Sequence, residues 1–227
     1  MPSIFVTGAG KGIGRAIVER FAAAEWRVSG VTRAPEDVDS LNRECLGAGG
    51  RFFAADATDA GRIGEIAGGI PGGLDLLVNN AGGFRYGGFR DIAPEDLEAL
   101  WQGNVVSAFT VTRAFLPALL LARGRIANIV SVAALKPLPG KAAYSATKAA
   151  QAALFRCLRD EIAEEGVTVT NIYPGVTFTN SFAGEDIDPG ILMAPEDVAE
   201  AVFRTCTAPG NLVAEELVLQ PAQGIRL

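Results

Sequence analysis

Tyr144 and Lys148 stand four residues apart in a chain of 227 residues that contains no histidine, so an acid or base acting near neutral pH must come from another residue type. On a helix this spacing stacks the two side chains one turn apart on the same face. A phenol titrates near ~10 when free, and an adjacent cation favours phenolate. Moving it by ~3 units would take about 4 kcal/mol of differential interaction, which a lysine and a second charge together could supply. Reducing a carbonyl develops negative charge on oxygen, so a donor must be aimed there and a proton must follow. Tyr144 could deliver that proton, and Ser131, just after the apolar run Arg125 to Val130, could supply the hydrogen bond.

Phosphate binding is suggested near the other end of the chain. Thr7-Gly8-Ala9-Gly10-Lys11-Gly12-Ile13-Gly14 joins an apolar run to a helical pattern, where backbone N–H groups and the helix dipole can hold a pyrophosphate. Gly8, Gly12 and Gly14 form Gly-x-x-x-Gly-x-Gly; the commoner Gly-x-Gly-x-x-Gly fingerprint fails because Ile13 takes the place of its third glycine. Taken alone, such a loop favours a dinucleotide over the lesser alternative of a simple tight connection.

These groups must be positioned by alternating elements. Short aliphatic or β-branched runs at Ile4 to Thr7, Arg27 to Thr32, Arg51 to Ala54, Leu74 to Val78, Arg125 to Val130, Val167 to Tyr173 and Glu216 to Leu219 predict strands. Most are continuously apolar, as suits strands buried on both faces of a parallel sheet. Helical segments are expected near Gly14 to Glu25, Pro35 to Leu46, Asp59 to Ala67, Pro94 to Leu121, Ala142 to Glu165 and Pro195 to Thr207. The alternation implies right-handed crossovers and a doubly wound, mostly parallel α/β sheet of the Rossmann type. Ligands in such a sheet lie beyond the carboxyl ends of the strands.

The length and the 49% hydrophobic content suit one well-filled domain spanning residues 1–227. A net charge of −6 argues against nucleic acid or an anionic membrane as the main partner. Cys45, Cys157 and Cys206 are odd in number and scattered, which supports neither a disulfide frame nor a zinc site, and no metal is expected. The start, MPSIFVTGAG, has no basic leader, and the apolar stretch Ala114 to Ala122 is too short to span a bilayer and contains Pro117. A soluble protein of the reducing cytoplasm is the expectation.

Beside the glycine loop, Asn79-Asn80-Ala81-Gly82, Asn104, Ser131, the Tyr144 to Lys148 step and Pro174-Gly175 follow in order. With these motifs the chain resembles the classical short-chain dehydrogenase/reductase family from Thr7 to about Thr179. The resemblance implies a catalytic tetrad of Asn104, Ser131, Tyr144 and Lys148. In it, Lys148 stabilises phenolate and holds the nicotinamide ribose, and Asn104 holds a water that reconnects Lys148 to solvent. It also implies a cofactor site comprising Gly8, Gly10, Lys11, Gly12, Ile13, Gly14, Arg33, Asp56, Ala57, Asn80, Ala81, Gly82, Tyr144, Lys148, Pro174, Gly175 and Thr179. There, Asp56 meets the adenine amino group with Ala57 backing it, and Asn79 to Gly82 shape the adenine ribose wall. On the residues alone, Asp56 could instead start a helix, Asn104 could be a surface residue, and Asn79 to Gly82 an ordinary turn.

At the end of the second expected strand an acid would favour NAD and an arginine a 2′-phosphate. The chain has Thr32 at the acidic position, then Arg33, with Lys11 as a second cation and Glu36 and Asp37 arriving in the next helix. NADP(H) is therefore expected, with NAD(H) left open. The substrate is expected to be a small carbonyl or alcohol compound bound by the loops Gly83 to Asp91, Val132 to Gly140 and Val176 to Met193, where Phe84, Tyr86, Leu135, Leu138, Phe178, Phe182 and Met193 offer an apolar lining. A 3-oxoacyl-carrier reductase, with Arg85 and Arg90 as phosphate contacts, is the alternative, and a non-catalytic NADP-binding regulator of the same fold is another. An epimerase or dehydratase of the extended branch fits less well. Leu219-Gln220-Pro221-Ala222-Gln223 replaces the glycine pair of many relatives. The long helices suggest a homodimer or homotetramer, with Val105, Phe109 and Leu154 as contacts.

Overall fold

The computed structural model describes residues 1–44, 49–179, 189–209 and 212–223. Each expected apolar run forms a strand: β1 (Ser3–Thr7), β2 (Arg27–Thr32), β3 (Phe52–Ala54), β4 (Leu76–Asn79), β5 (Arg125–Ile129), β6 (Thr168–Pro174) and β7 (Glu216–Leu219). All pair in parallel, in the order β3-β2-β1-β4-β5-β6-β7. The helices are α1 (Gly12–Ala22), α2 (Pro35–Glu44), α3 (Ala60–Gly68), α4 (Pro94–Trp101), α5 (Ser107–Ala122), α6 (Ala142–Ile162) and α7 (Pro195–Thr207). Leu46, expected to end α2, lies outside the described residues, as do Cys45 and Phe182.

Alternation along each strand divides the core. Ile4 and Val6 of β1 face α1, α2 and α7 through Ile17, Phe21, Leu41 and Val202. Phe5 faces α3, α5 and α6 through Ile63, Phe115 and Phe155, with its ring 4.2 Å from that of Phe115. Both faces are covered, which is why the strands read as apolar runs. Chain order reverses between β1 and β4, and the crevice at that switch point is where such sheets take their ligands.

The segment expected as one uniform helix from Pro94 to Leu121 is interrupted. Between α4 and α5 lies a π turn, Gln102–Val106, which contains Asn104. Such turns are rare in helices and cluster at functional sites. Taken together, Pro94–Ala122 is 29 residues and is long and apolar enough to cross a bilayer by length and composition, unlike the shorter stretch read from the sequence. Its inward face, with Phe115 and Leu119 fully buried, packs on the sheet and α3.

Candidate active site

The glycine loop leaves β1 and enters α1 across the ends of β1 and β4. Gly8 takes φ +65°, a conformation disfavoured for other residues. A Cβ at Gly14 would stand 2.1 Å from the Gly8 carbonyl oxygen and 2.4 Å from Asn80 Nδ2, so only glycine lets the first turn of α1 come this close. Asn80 ties the two strand ends, its Nδ2 donating to the carbonyls of Thr7 and Gly8, while Thr7 Oγ1 accepts from the N–H groups of Asn80 and Ala81. The Asn79 to Gly82 segment is thus a brace between strands as well as a turn. Across the cleft Thr179 faces Gly12.

Gly8, Lys11, Gly12, Ile13, Asn80, Ala81, Gly82, Asn104, Ser131, Tyr144, Lys148, Pro174, Gly175 and Thr179 line one cleft of about 750 Å³. The structure therefore joins the glycine loop to the tetrad, although the residues span most of the chain. Asn104 is fully buried, not on the surface. Its Oδ1 accepts from Gly83 N at 3.0 Å, and its Nδ2 donates to Gly83 O and Thr147 Oγ1, both at 3.1 Å. The side chain clasps the loop after β4 to α6. Lys148 is also buried and donates to Ile129 O at 2.9 Å and to Gln151 Oε1 at 3.0 Å.

Electrostatics differ from the simple expectation of a phenol pulled toward neutrality. Burial pushes the Tyr144 phenol up, opposed in part by its hydrogen bond with Ser131. Burial also brings the Lys148 ammonium down to about 7. Desolvation thus outweighs the Ser131 hydrogen bond: Tyr144 stays a protonated donor, while Lys148 titrates close to neutral pH. Ser131 is placed by the turn after β5, where its Oγ also accepts from Ala133 N.

The far end of the dinucleotide site is built from β2 and β3. Arg33 follows β2, Asp56 follows β3, and Arg33 helps hold the Asp56 carboxyl low, after the larger effect of bonds from Thr58. Asp56 does not cap a helix; Asp59 does, accepting from Arg62 N. Ala57 is buried in the core beside β2. Arg33, Asp56 and Ala57, with Gly10 and Gly14, lie outside the lining of the main cleft. Sequence reasoning placed Asp37 in the next helix and gave it no role. The fold returns its carboxylate to Thr32, 3.4 Å from Oγ1, and to within 2.2 Å of where a Cβ at Gly10 would stand. Its position in the first turn of α2, just after β2, was the available signal.

Of the expected substrate lining, Phe84 and Tyr86 do line the cleft. Phe84 packs edge-on against Tyr144, with ring centroids 5.0 Å apart. Leu135 and Phe178 are exposed and Leu138 is half-buried, none of them lining the cleft, while Met193 belongs to the core. Met193 bridges to Thr177, so the end of that loop is a packing element. Lys141, at the start of α6, lines the cleft with its Nζ 5.9 Å from the Phe84 ring, and among the described residues no carboxylate lines it. Among the described residues there is no acidic, cysteine or histidine cluster able to hold a metal.

The loop and cleft fit a nicotinamide dinucleotide: a cradle closed to any Cβ, a helix N-terminus, and a buried ammonium at the inner end. The profile of the family described as short chain dehydrogenase matches residues 2–188. Sepiapterin reductase of Chlorobaculum tepidum is 32% identical, over 97% of this chain and 96% of the relative. Serine 3-dehydrogenase of Rhizobium radiobacter is 30% identical, over 96% and 93%. A solved structure titled the closed form of serine dehydrogenase complexed with NADP+ superposes with a TM-score of 0.88 at 29% identity, covering 99% of this chain and 98% of that one. The chain belongs to the classical short-chain dehydrogenase/reductase family.

Proposed function

We propose that this short-chain dehydrogenase/reductase reduces a small ketone or aldehyde to the alcohol with NADP(H). The observation that carries the reading is the convergence of Ser131, Tyr144 and Lys148 in one cleft with the glycine loop. The cofactor supplies the hydride. Ser131 and Tyr144 donate to the carbonyl oxygen, and the protonated phenol delivers the proton as charge develops there. Lys148, in its charged form, bonds the ribose and stabilises the phenolate left behind. Asn104 keeps the loop after β4 against α6, fixing the wall beside both groups.

Arg33 and Lys11 favour NADP(H), as does the likeness to a serine dehydrogenase structure titled as an NADP+ complex; Asp37 opposes it. Among the described residues the cleft contains Lys11, Lys141 and Lys148 and no carboxylate, which suits a polar or anionic carbonyl compound. A serine 3-dehydrogenase among the relatives is consistent with that. The 3-oxoacyl-carrier alternative loses one support, since Arg85 is paired with Asp96 at 3.1 Å, leaving Arg90. The intact tetrad weighs against a regulator without turnover. A cytoplasmic homodimer or homotetramer is part of the same reading.

The test is NADPH and NADH oxidation with a panel of neutral aldehydes and ketones, 2- and 3-oxo acids, and 3-oxoacyl thioesters. Turnover of a carbonyl compound with NADPH supports the reading. NADPH binding with no turnover across the panel would favour the regulatory alternative, and turnover restricted to acyl-carrier thioesters would favour the 3-oxoacyl one.

A further inference from the structure

A line of buried amides leaves the cleft and ends at the β7 edge of the sheet. Lys148 Nζ donates to Gln151 Oε1 at 3.0 Å, and Gln151 Nε2 donates to Asn128 Oδ1 at 2.6 Å. Asn128 Nδ2 donates to Asn171 Oδ1 at 2.9 Å, and Asn171 Nδ2 donates to Glu216 Oε1 at 3.4 Å. Gln151, Asn128 and Asn171 come from α6, β5 and β6 and are each 0% exposed. The two ends, with the Ala152 carbonyl that also accepts from Asn171 Nδ2 at 3.2 Å, set the direction of every bond between them. An ammonium only donates and a carboxylate only accepts, so each amide must turn its oxygen toward Lys148 and its nitrogen toward Glu216. Three dipoles are thereby aligned between a cation and an anion in a medium where such bonds polarise one another.

We infer that Glu216 is a positioning residue for Lys148, acting through Asn171, Asn128 and Gln151 to keep an oxygen turned toward the ammonium. The inference rests on the proposed role of Lys148 in holding the cofactor ribose. Among the described residues no side-chain anion lines the cleft, where the charged or titratable groups besides Lys148 are Tyr144 of α6, Lys141 just before it, Tyr86 of the loop after β4 and Lys11 of the glycine loop. Among the described residues the ammonium is therefore held by the Ile129 carbonyl and Gln151 alone. Glu216 is itself anchored by Arg156, Arg159 and Tyr173, which fixes the far end of the line. Without that end, the Asn171 amide nitrogen is held only by the Ala152 carbonyl, 3.2 Å from Nδ2, and a reversal along the line would point the Gln151 NH2 at the ammonium.

The experiment is NADPH binding measured by fluorescence titration from pH 5.5 to 9 (roughly the range over which a perturbed lysine near neutrality would titrate) in wild type, Glu216→Gln, Glu216→Asp and Gln151→Leu. Circular dichroism and melting identify the variants that fold. Affinity should fall as Lys148 loses its proton, near pH 7 in wild type. Gln151→Leu should lower that midpoint by about one pH unit, from the loss of one charge-assisted bond. Glu216→Gln should lower it by about half a unit, and Glu216→Asp should restore it. An unchanged midpoint in folded Glu216→Gln would overturn the inference, as would a loss of affinity equal at every pH, which a purely structural role predicts. A shift in Gln151→Leu alone would also overturn it, because the carboxylate would then be unsensed. Wild type that binds no NADPH would instead sink the functional reading beneath it.

Discussion

Tyr144 is the residue whose removal separates chemistry from binding. Tyr144→Phe keeps the ring packed against Phe84 and removes the proton donor, so turnover should fall by about 10²- to 10⁴-fold with NADPH affinity nearly unchanged. Stopped-flow reduction and a binding titration on the same preparation check this; turnover near wild type refutes the assignment. Cofactor choice is set by two opposed side chains. Arg33→Ala should weaken NADPH by about ten- to a hundredfold and NADH little, since charge-assisted bonds to a 2′-phosphate are worth ~1.5 to 3 kcal/mol each. Asp37→Asn should act in the opposite sense, tightening NADPH by about fivefold, the scale of ~1 kcal/mol of repulsion near the surface. Calorimetric titration with both cofactors decides, and equal losses for NADPH and NADH in Arg33→Ala would assign that residue to the fold. Arg33 was legible from its place after a β-branched run. Of Asp37 only its place in the helix after β2 was legible, because its return to Thr32 depends on how α2 packs.

At the scale of elements, β7 is short and lies at the sheet edge, and its attachment is unusually ionic. Glu216 accepts from Arg156 and Arg159 of α6 and from Tyr173 of β6. Burial alone would raise its carboxyl; the bonds from Arg156, Tyr173 and Arg159 outweigh this and hold it at about 2, against an ordinary 4.5. A depressed carboxyl contributes stability that is complete above its unfolded value and is lost as pH falls through the folded one. Wild type should therefore lose part of its stability between about pH 4.5 and 2, and Glu216→Gln should be less stable at pH 7 yet flatter over that interval. Melts at half-unit steps test the difference, and parallel curves for the two proteins would refute it. The strands themselves were readable because parallel strands buried on both faces are continuous apolar runs, as in Ile4 to Val6 or Leu76 to Val78. The amide line through Gln151, Asn128 and Asn171 was not, since its members lie on three elements and no local period marks them. The π turn was hidden for a related reason: Asn104 is drawn inward by Gly83 and Thr147, partners 21 and 43 residues away.

For the molecule as a whole, the outer surface of α4 and α5 is one of the places where apolar side chains remain uncovered. Leu97, Trp101, Phe109 and Leu121 are 43%, 44%, 48% and 73% exposed, while charged residues are sparse between them. Of the contacts expected from sequence, Phe109 stays on this surface; Val105 is buried within the chain and Leu154 packs against its core. A patch of this kind on a monomer costs solubility, and a two-fold axis would cover it with the same patch of a second copy. We predict a homodimer, or a tetramer containing this pair, in which α4 and α5 face their counterparts over about 1,200–2,000 Å² of total buried surface. Trp101→Asp combined with Phe109→Asp places charge at the centre of that interface without touching the cleft, so the variant should elute as a folded monomer while wild type does not. Light scattering at micromolar concentration reads the mass of both. A wild type that is monomeric there would refute the assembly, and a double variant that stays dimeric would move the two-fold axis to another face.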